Sequence, residues 1–141
     1  MNKLKILVFG LPGSGKSTLA EPLANFLNGV WLNADKIREE YDDWDFSLEG
    51  RIRQAMRMKF LSDGVIKANK IAVADFICPT EKARKEFGAD YTIFLNTIKE
   101  GRYEDTNAIF EKPSHVDYEI NEWSKGASEK IGRIIYGLQK N

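Results

Sequence analysis

The stretch Gly10-Leu-Pro-Gly-Ser-Gly-Lys-Ser-Thr18 has the residue types and spacing to hold a phosphate. It fits the pattern G-x-x-x-x-G-K-[ST], with Gly10, Gly15, Lys16 and Ser17 at the defined positions. Glycines let a backbone curl tightly enough for its N–H groups to point at phosphate oxygens. A helix starting just after the loop adds free N–H groups and a positive dipole end. Lys16 then reaches the β- and γ-phosphates, and the Ser17 hydroxyl ligates Mg²⁺. The expected ligand is ATP with Mg²⁺, held by Leu11, Pro12, Gly13, Ser14, Gly15, Lys16, Ser17 and Thr18. A plain glycine turn can match the same pattern by chance. The apolar run before it and the helical pattern after it decide for a nucleotide.

The next chemistry-bearing residues lie in "LNADKIREEYDDWDFSLEGRIRQAMRM" (32–58). Asp35 falls just past a predicted strand, where a carboxylate can take a proton from an attacking hydroxyl. Arg38 is one helical turn further on, and its fork suits a phosphate or sulfate. Spacing alone is equally consistent with a surface salt-bridge cluster of Asp35, Lys36, Arg38, Glu39 and Glu40. Asp75 ends another predicted strand. It is read either as a metal contact alongside Ser17 or as a cap for a neighbouring helix. His115, the single histidine, has no Cys or His neighbours and is read as solvated.

Alternating strands and helices must position these groups. Leu4–Phe9, 29–33, 70–76, 91–96 and 116–120 are the expected strands. Helices are expected over Ser17–Leu27, 35–41, Leu48–Asp63 and Thr80–Phe87. Pro22 threatens a kink or an early fray in the first, and Gly64 is expected to end the third. That helix shows two faces, one with Ile52, Ala55, Lys59 and Phe60 and one with Arg51, Gln54, Met58 and Leu61. Ile131, Ile134, Ile135 and Leu138 mark a last amphipathic helix. Residues 99–115 are polar and aperiodic and are read as a loop serving as a lid. The pattern predicts an α/β/α sandwich on a parallel sheet of about five strands, the P-loop NTPase fold. Its ligands lie at the carboxyl ends of the strands.

The bulk numbers narrow the function classes. The 141 residues carry 21 Lys plus Arg and 21 Asp plus Glu. A net charge of zero argues against nucleic acid or an anionic membrane as partner. No apolar stretch reaches membrane-spanning length. One cysteine excludes an internal disulfide and fits a reducing, cytoplasmic setting. One domain, 1–141, is expected. "FLNTIKEG" lacks the Asn-Lys-x-Asp pattern of GTPases, and the chain is short for a motor ATPase. A kinase of a small acceptor is the economical reading.

These residues, taken in order, resemble the adenylylsulfate kinase family. That family passes the γ-phosphate of ATP to the 3′-hydroxyl of adenosine 5′-phosphosulfate. The family motif D-G-D-x-x-R reads here Asn33-Ala34-Asp35-Lys36-Ile37-Arg38. The resemblance implies that Asp35 is the base and Arg38 a substrate-gripping arginine. The family's Phe-Ser and helix-opening Arg match Phe46-Ser47 and Arg51, with Phe46 implied to stack on the substrate adenine. Gln54 stands where the family often has Asn. "LSDG" (61–64) matches an "ADAG"-like turn. "FICP" (76–79) matches "FISP", implying a backbone contact to substrate near Ile77, and "FLNT" (94–97) resembles "FVDT".

The chain also departs from the pattern. The first Asp of the motif is Asn33. The family's serine is Cys78, which could offer thiol chemistry but reads more simply as a small buried residue. The lid is shortened, with Arg102, Phe110 and Lys112 the obvious remnants of the family's longer Lys- and Arg-rich segment. The resemblance implies a small-molecule nucleotide acceptor, a catalytic pair of Asp35 and Lys16, and a family that is usually dimeric. Other acceptors, such as cytidine diphosphoramidate or a polynucleotide 5′-hydroxyl, and a regulator that binds nucleotide without transfer remain as alternatives.

Overall fold

The structure, a computed structural model, describes residues 3–101 and 103–139. These form a five-stranded, all-parallel sheet in the order β2-β3-β1-β4-β5. The strands are β1 (Leu4–Gly10), β2 (Val30–Asn33), β3 (Ile71–Asp75), β4 (Tyr91–Leu95) and β5 (Tyr118–Ile120). Six helices connect and follow them: α1 (Lys16–Leu27), α2 (Ala34–Tyr41), α3 (Leu48–Lys67), α4 (Glu81–Phe87), α5 (Glu104–Ile109) and α6 (Ala127–Gln139). The expected P-loop α/β sandwich is what forms.

β1 shows why its sequence is apolar throughout. Ile6 and Val8 pack into one core with Leu19 and Leu23 of α1 and Ile131 and Ile135 of α6. Leu7 and Phe9, pointing the other way, pack with Ile37 of α2, Met58 of α3 and Phe87 of α4. A central strand with helices on both faces has no solvent side and no need for alternation.

Four expectations change. α1 runs on through Pro22 to Leu27. Pro22 lies on the exposed side, so the carbonyl its ring frees is on the side open to water. α3 continues past Gly64 to Lys67, because Val65 and Ile66 still bury part of their surface. The left-handed exit falls at Asn69 (φ 60°). The polar segment 99–115 contains the short helix α5. In α6, Ile131 and Ile135 are buried, whereas Ile134 and Leu138 are exposed.

α3 also resolves its two faces. Gly50, Gln54, Met58 and Ser62 are buried, and Ile52 and Phe60 point to solvent. Among the described residues, no helix is long and apolar enough to cross a membrane.

Candidate active site

Parallel pairing brings four strand ends to one edge. Asn33 pairs with Asp75, and Gly10 with Leu95. The glycine loop leaves this edge between Gly10 and Lys16. A Cβ on Gly10 would come within 2.8 Å of the Leu95 carbonyl and of Ser14 Oγ. Gly15 has φ 101°, and a Cβ there would collide with the indole of Trp123. Both positions therefore require glycine. The loop is tied by Ser14 N–H to Leu11 O (3.1 Å) and by the Thr97 hydroxyl to Ser14 O (2.8 Å). Lys16 Nζ donates back to Leu11 O at 3.1 Å. No side chain caps α1, so its first N–H groups face the loop, an arrangement suited to an anion. Ser14 Oγ is buried and without a partner. Leu11 is also buried, Pro12, Gly15 and Lys16 are half-buried, and Gly13, Ser17 and Thr18 are exposed.

Beside the loop lies a buried carboxylate. Asp75 is 2% exposed and accepts from Trp31 Nε1 (2.5 Å) and Asn33 Nδ2 (3.1 Å). Asn33 Nδ2 also donates to Ser17 Oγ at 2.9 Å, and Ser17 Oγ lies 3.5 Å from Asp75. Burial pushes the Asp75 carboxyl above the usual carboxylate range. The Trp31 and Asn33 donors and the nearby Lys16 charge pull it back, and the Asp35 charge adds to the rise. Asp75 and Ser17 together fit a cation that keeps most of its ligands from water and phosphate. Among the described residues no cluster of three acidic, His or Cys groups offers a full protein cage.

Asp35 sits exposed in the first turn of α2, whose N-cap is Asn33, accepting from Lys36 N–H at 3.0 Å. The structure therefore brings Lys16, Ser17, Asn33, Asp35 and Asp75 to one corner. Arg38 goes elsewhere. The residue is 5% exposed, and its guanidinium donates to the carbonyls of Asp43 (2.9 Å) and Asp45 (3.2 Å). It also lies 4.3 Å from the centre of the Phe46 ring. Desolvation lowers its pKa, against the charge of Asp43. Arg38 thus braces the loop that carries Phe46, which stays half exposed.

Gln54 is fully used: Nε2 donates to Ala34 O (2.9 Å), and Oε1 accepts from Arg57 (2.9 Å). It ties α3 to the start of α2. Arg51 is half-buried in the first turn of α3. Arg53 and Arg57 both bond Asp43, and Arg53 also reaches Asp45. These donors hold the Asp43 carboxyl far below the usual range.

After β3, Ile77 is half-buried and Cys78 is 1% exposed in a left-handed conformation (φ 44°). Burial pushes its thiol up to about 12, despite the charge of Arg84. A thiol held protonated is a poor nucleophile, which favours the structural reading. Arg84 donates to the carbonyls of Cys78, Pro79 and Glu111 and stacks between Phe9 and Phe110. Phe110 also stacks on Phe94, with ring centres 5.9 Å apart. Phe110 is therefore packed at the base of its segment. Lys112 lines a cavity of about 320 Å³ with Leu11, Ile98, Lys99 and Asn107. Arg102 lies outside the described residues.

Sequence reading missed Trp31, Trp123, Asp43 and Arg84. Trp31 sits in a strand and reads as core. Trp123, Asp43 and Arg84 meet their partners only through tertiary packing.

Several solved structures that this chain resembles are kinases. An APS kinase of Mycobacterium tuberculosis in complex with AMPPNP and APS is 15% identical, with a TM-score of 0.74 over 99% of each chain. A hexameric APS kinase from Thiobacillus denitrificans is 23% identical with a TM-score of 0.76, covering 99% of this chain but 29% of that one. A shikimate kinase from Acinetobacter baumannii in complex with shikimate is 21% identical, with a TM-score of 0.59 over 96% and 92%. At these identities the likeness speaks for the fold. The family model described as adenylylsulphate kinase matches residues 2–113, a span that holds the glycine loop, Asp35, Asp75 and the α3 start. The chain belongs to the adenylylsulphate kinase family and is an ATP-dependent kinase.

Proposed function

We propose that this chain moves the γ-phosphoryl group of ATP to the 3′-hydroxyl of adenosine 5′-phosphosulfate, giving 3′-phosphoadenylyl sulfate and ADP in sulfate assimilation. The carrying observation is the placement of Asp35. Its exposed carboxylate opens α2 at the strand edge that also holds Lys16, Ser17 and Asp75.

In this reading residues 1–141 act as one domain, with 99–115 as its lid. The backbone N–H groups of residues 11–18 and the α1 start bind the ATP phosphates. Lys16 leaves Leu11 O for the β- and γ-oxygens. Ser17 and Asp75 hold Mg²⁺, which supplies neutralisation of the charge on the transferred group. Asp35 accepts the acceptor's proton as the new O–P bond forms and the β,γ-bridging bond breaks toward ADP. Phe46 stacks on the acceptor base. Arg51 holds its anionic arm, and Arg38 keeps Phe46 in place and adds positive charge. Gln54, Ile77 and Cys78 shape the wall of that subsite.

One observation favours a different nucleotide-type acceptor within the same chemistry. Phe110 is committed to the Phe94–Arg84 stack, which leaves the shortened lid without this ring as a second clamp for a base. Acceptor-dependent ADP release with ATP·Mg²⁺ tests both readings. Adenosine 5′-phosphosulfate is compared with cytidine diphosphoramidate, AMP and a 5′-hydroxyl oligonucleotide. A response to adenosine 5′-phosphosulfate that is lost in Asp35→Ala, with ATP affinity kept, supports the proposal. Silence with it and turnover of another acceptor replaces the acceptor and leaves the kinase chemistry standing.

A further inference from the structure

We infer that Arg84 is a positioning residue for the acceptor, acting through the Cys78 turn and the Phe110 ring. The inference rests on the reading above in taking Ile77 and Cys78 as part of the acceptor wall. Arg84 lies one turn into α4 and is 9% exposed. Its guanidinium uses four of its five N–H donors, three of them on main-chain carbonyls. Nε donates to Cys78 O at 2.9 Å, and Nη2 to Pro79 O at 3.1 Å and Glu111 O at 2.6 Å. Nη1 donates to Glu81 Oε1 at 3.0 Å. The guanidinium carbon also lies 4.5 Å from the centre of the Phe9 ring and 5.1 Å from that of Phe110. Three segments that border the site therefore meet on one side chain. Phe9 precedes the glycine loop, Cys78 and Pro79 follow β3, and Phe110 and Glu111 follow α5.

Packing alone does not account for this choice of residue. Burying a guanidinium is costly, and apolar side chains of similar volume often serve a fold as well. The carboxylate that Arg84 bonds belongs to Glu81, whose side chain is 48% exposed. What the planar fork adds is direction, because its fixed N–H vectors set the angle between the segments it joins. Cys78 shows what is held. Its φ of 44° is left-handed, a conformation that a residue with a Cβ keeps only where its surroundings fix it. Its carbonyl is one that Arg84 takes, and its turn sets how Ile77 meets the strand edge. Main-chain bonds complete the join. Glu111 N–H donates to Pro79 O at 2.7 Å, Glu81 N–H to Glu111 Oε1 at 3.0 Å, and Ser114 N–H to Glu81 Oε1 at 3.1 Å. Phe110 in turn lines the cavity of about 320 Å³ beside Leu11. Among the described residues, none of the Arg84 hydrogen bonds goes to residues 11–18. Its influence therefore falls on the acceptor side.

Steady-state kinetics and ATP titration calorimetry on Arg84→Lys and Arg84→Met test the assignment. The acceptor is adenosine 5′-phosphosulfate, or cytidine diphosphoramidate if the wild type uses that instead. Lys keeps the charge and Met keeps the bulk, but neither has the fork. The acceptor KM should rise roughly 30-fold in both, since a small misplacement from a distance costs up to about 100-fold. The ATP dissociation constant should stay unchanged. Phe110→Leu, which leaves the carbonyl bonds in place, should raise the acceptor KM only about threefold. Hydrogen exchange reads the same join with no acceptor present. The amides of Glu81, Glu111 and Ser114 should lose protection together in Arg84→Met, while those of β1 and β4 keep theirs, which separates a local release from unfolding. A wild-type acceptor KM in Arg84→Lys overturns the inference, because charge alone then suffices. An acceptor KM and an ATP dissociation constant that rise by the same factor overturn it too, as does unchanged exchange in Arg84→Met. The predicted changes in a chain that turns over only cytidine diphosphoramidate uphold Arg84 and remove adenosine 5′-phosphosulfate. Where neither acceptor is turned over, the exchange result alone decides.

Discussion

At the glycine loop the groups proposed to meet a ligand are main-chain N–H groups held between buried strands. Along residues 42–54 they are side chains held by one another. The loop is anchored through Gly10 against Leu95, Thr97 against Ser14, and a capless α1. The 42–54 segment hangs on Asp43, which gathers Arg53 and Arg57, and on Arg38, which takes two carbonyls and the Phe46 ring. Backbone geometry tolerates few substitutions and binds any polyphosphate. A side-chain network can change partner by changing a residue. If the loop binds ATP and the 42–54 segment the acceptor, as proposed above, nucleotide chemistry and acceptor choice are separable here, because different kinds of contact would carry them.

Four substitutions test this division, in falling order of effect. Lys16→Ala removes the cation proposed to reach the transferred group. It should lower kcat/KM roughly 1,000-fold with the thermal midpoint kept, read by steady-state ADP release. Gly15→Ala should weaken ATP binding roughly 100-fold by titration calorimetry, since misplacing a loop by an ångström costs about that much. Adding Trp123→Ala should restore only part, because φ 101° strains any Cβ. If full affinity returns, side-chain collision and not backbone geometry governs the loop, and the comparison fails.

Asp43→Ala should act on the other side alone. Freed Arg53 and Arg57 no longer hold the loop of Phe46, so the acceptor KM should rise about tenfold while the ATP dissociation constant stays put. An equal change in both constants would show the two regions to be coupled. The smallest effect concerns Cys78. Its folded thiol is pushed up to about 12 from an ordinary value of 9.0. The folded state thus holds the proton where the unfolded chain has lost it. The contribution is fully present below pH 9 and is lost as pH rises toward 12. Denaturant midpoints should fall across that window, and Cys78→Ala should flatten the fall.

The element order, the parallel sheet and the glycine loop were legible because they depend on local signals. An apolar run reads as a two-sided strand, and G-x-x-x-x-G-K-S reads as a loop before a helix. Asp35 and Asp75 were legible as strand-end carboxylates. Helix ends were less so. Pro22 and Gly64 act as breakers only where nothing else holds the turn, and here solvent exposure and the packing of Val65 and Ile66 set the outcome.

The sequence alone supplied the chemistry on offer: a glycine loop of phosphate-binding pattern, a carboxylate in the first turn of α2, and an α/β frame to aim them. Those follow from periodicity and backbone preference within a few residues. Tertiary structure alone decided who meets whom. It put Trp31 and Asn33 on Asp75, Trp123 on Gly15, Arg84 between Phe9 and Phe110, and Arg38 under Phe46 instead of open at the strand edge. It also turned Ile52 and Phe60 outward, though their spacing matched a core face as well as a bare one. Such contacts join residues that lie in different elements or on opposite turns of one helix. Their partners are set by how the layers pack, which no local pattern encodes.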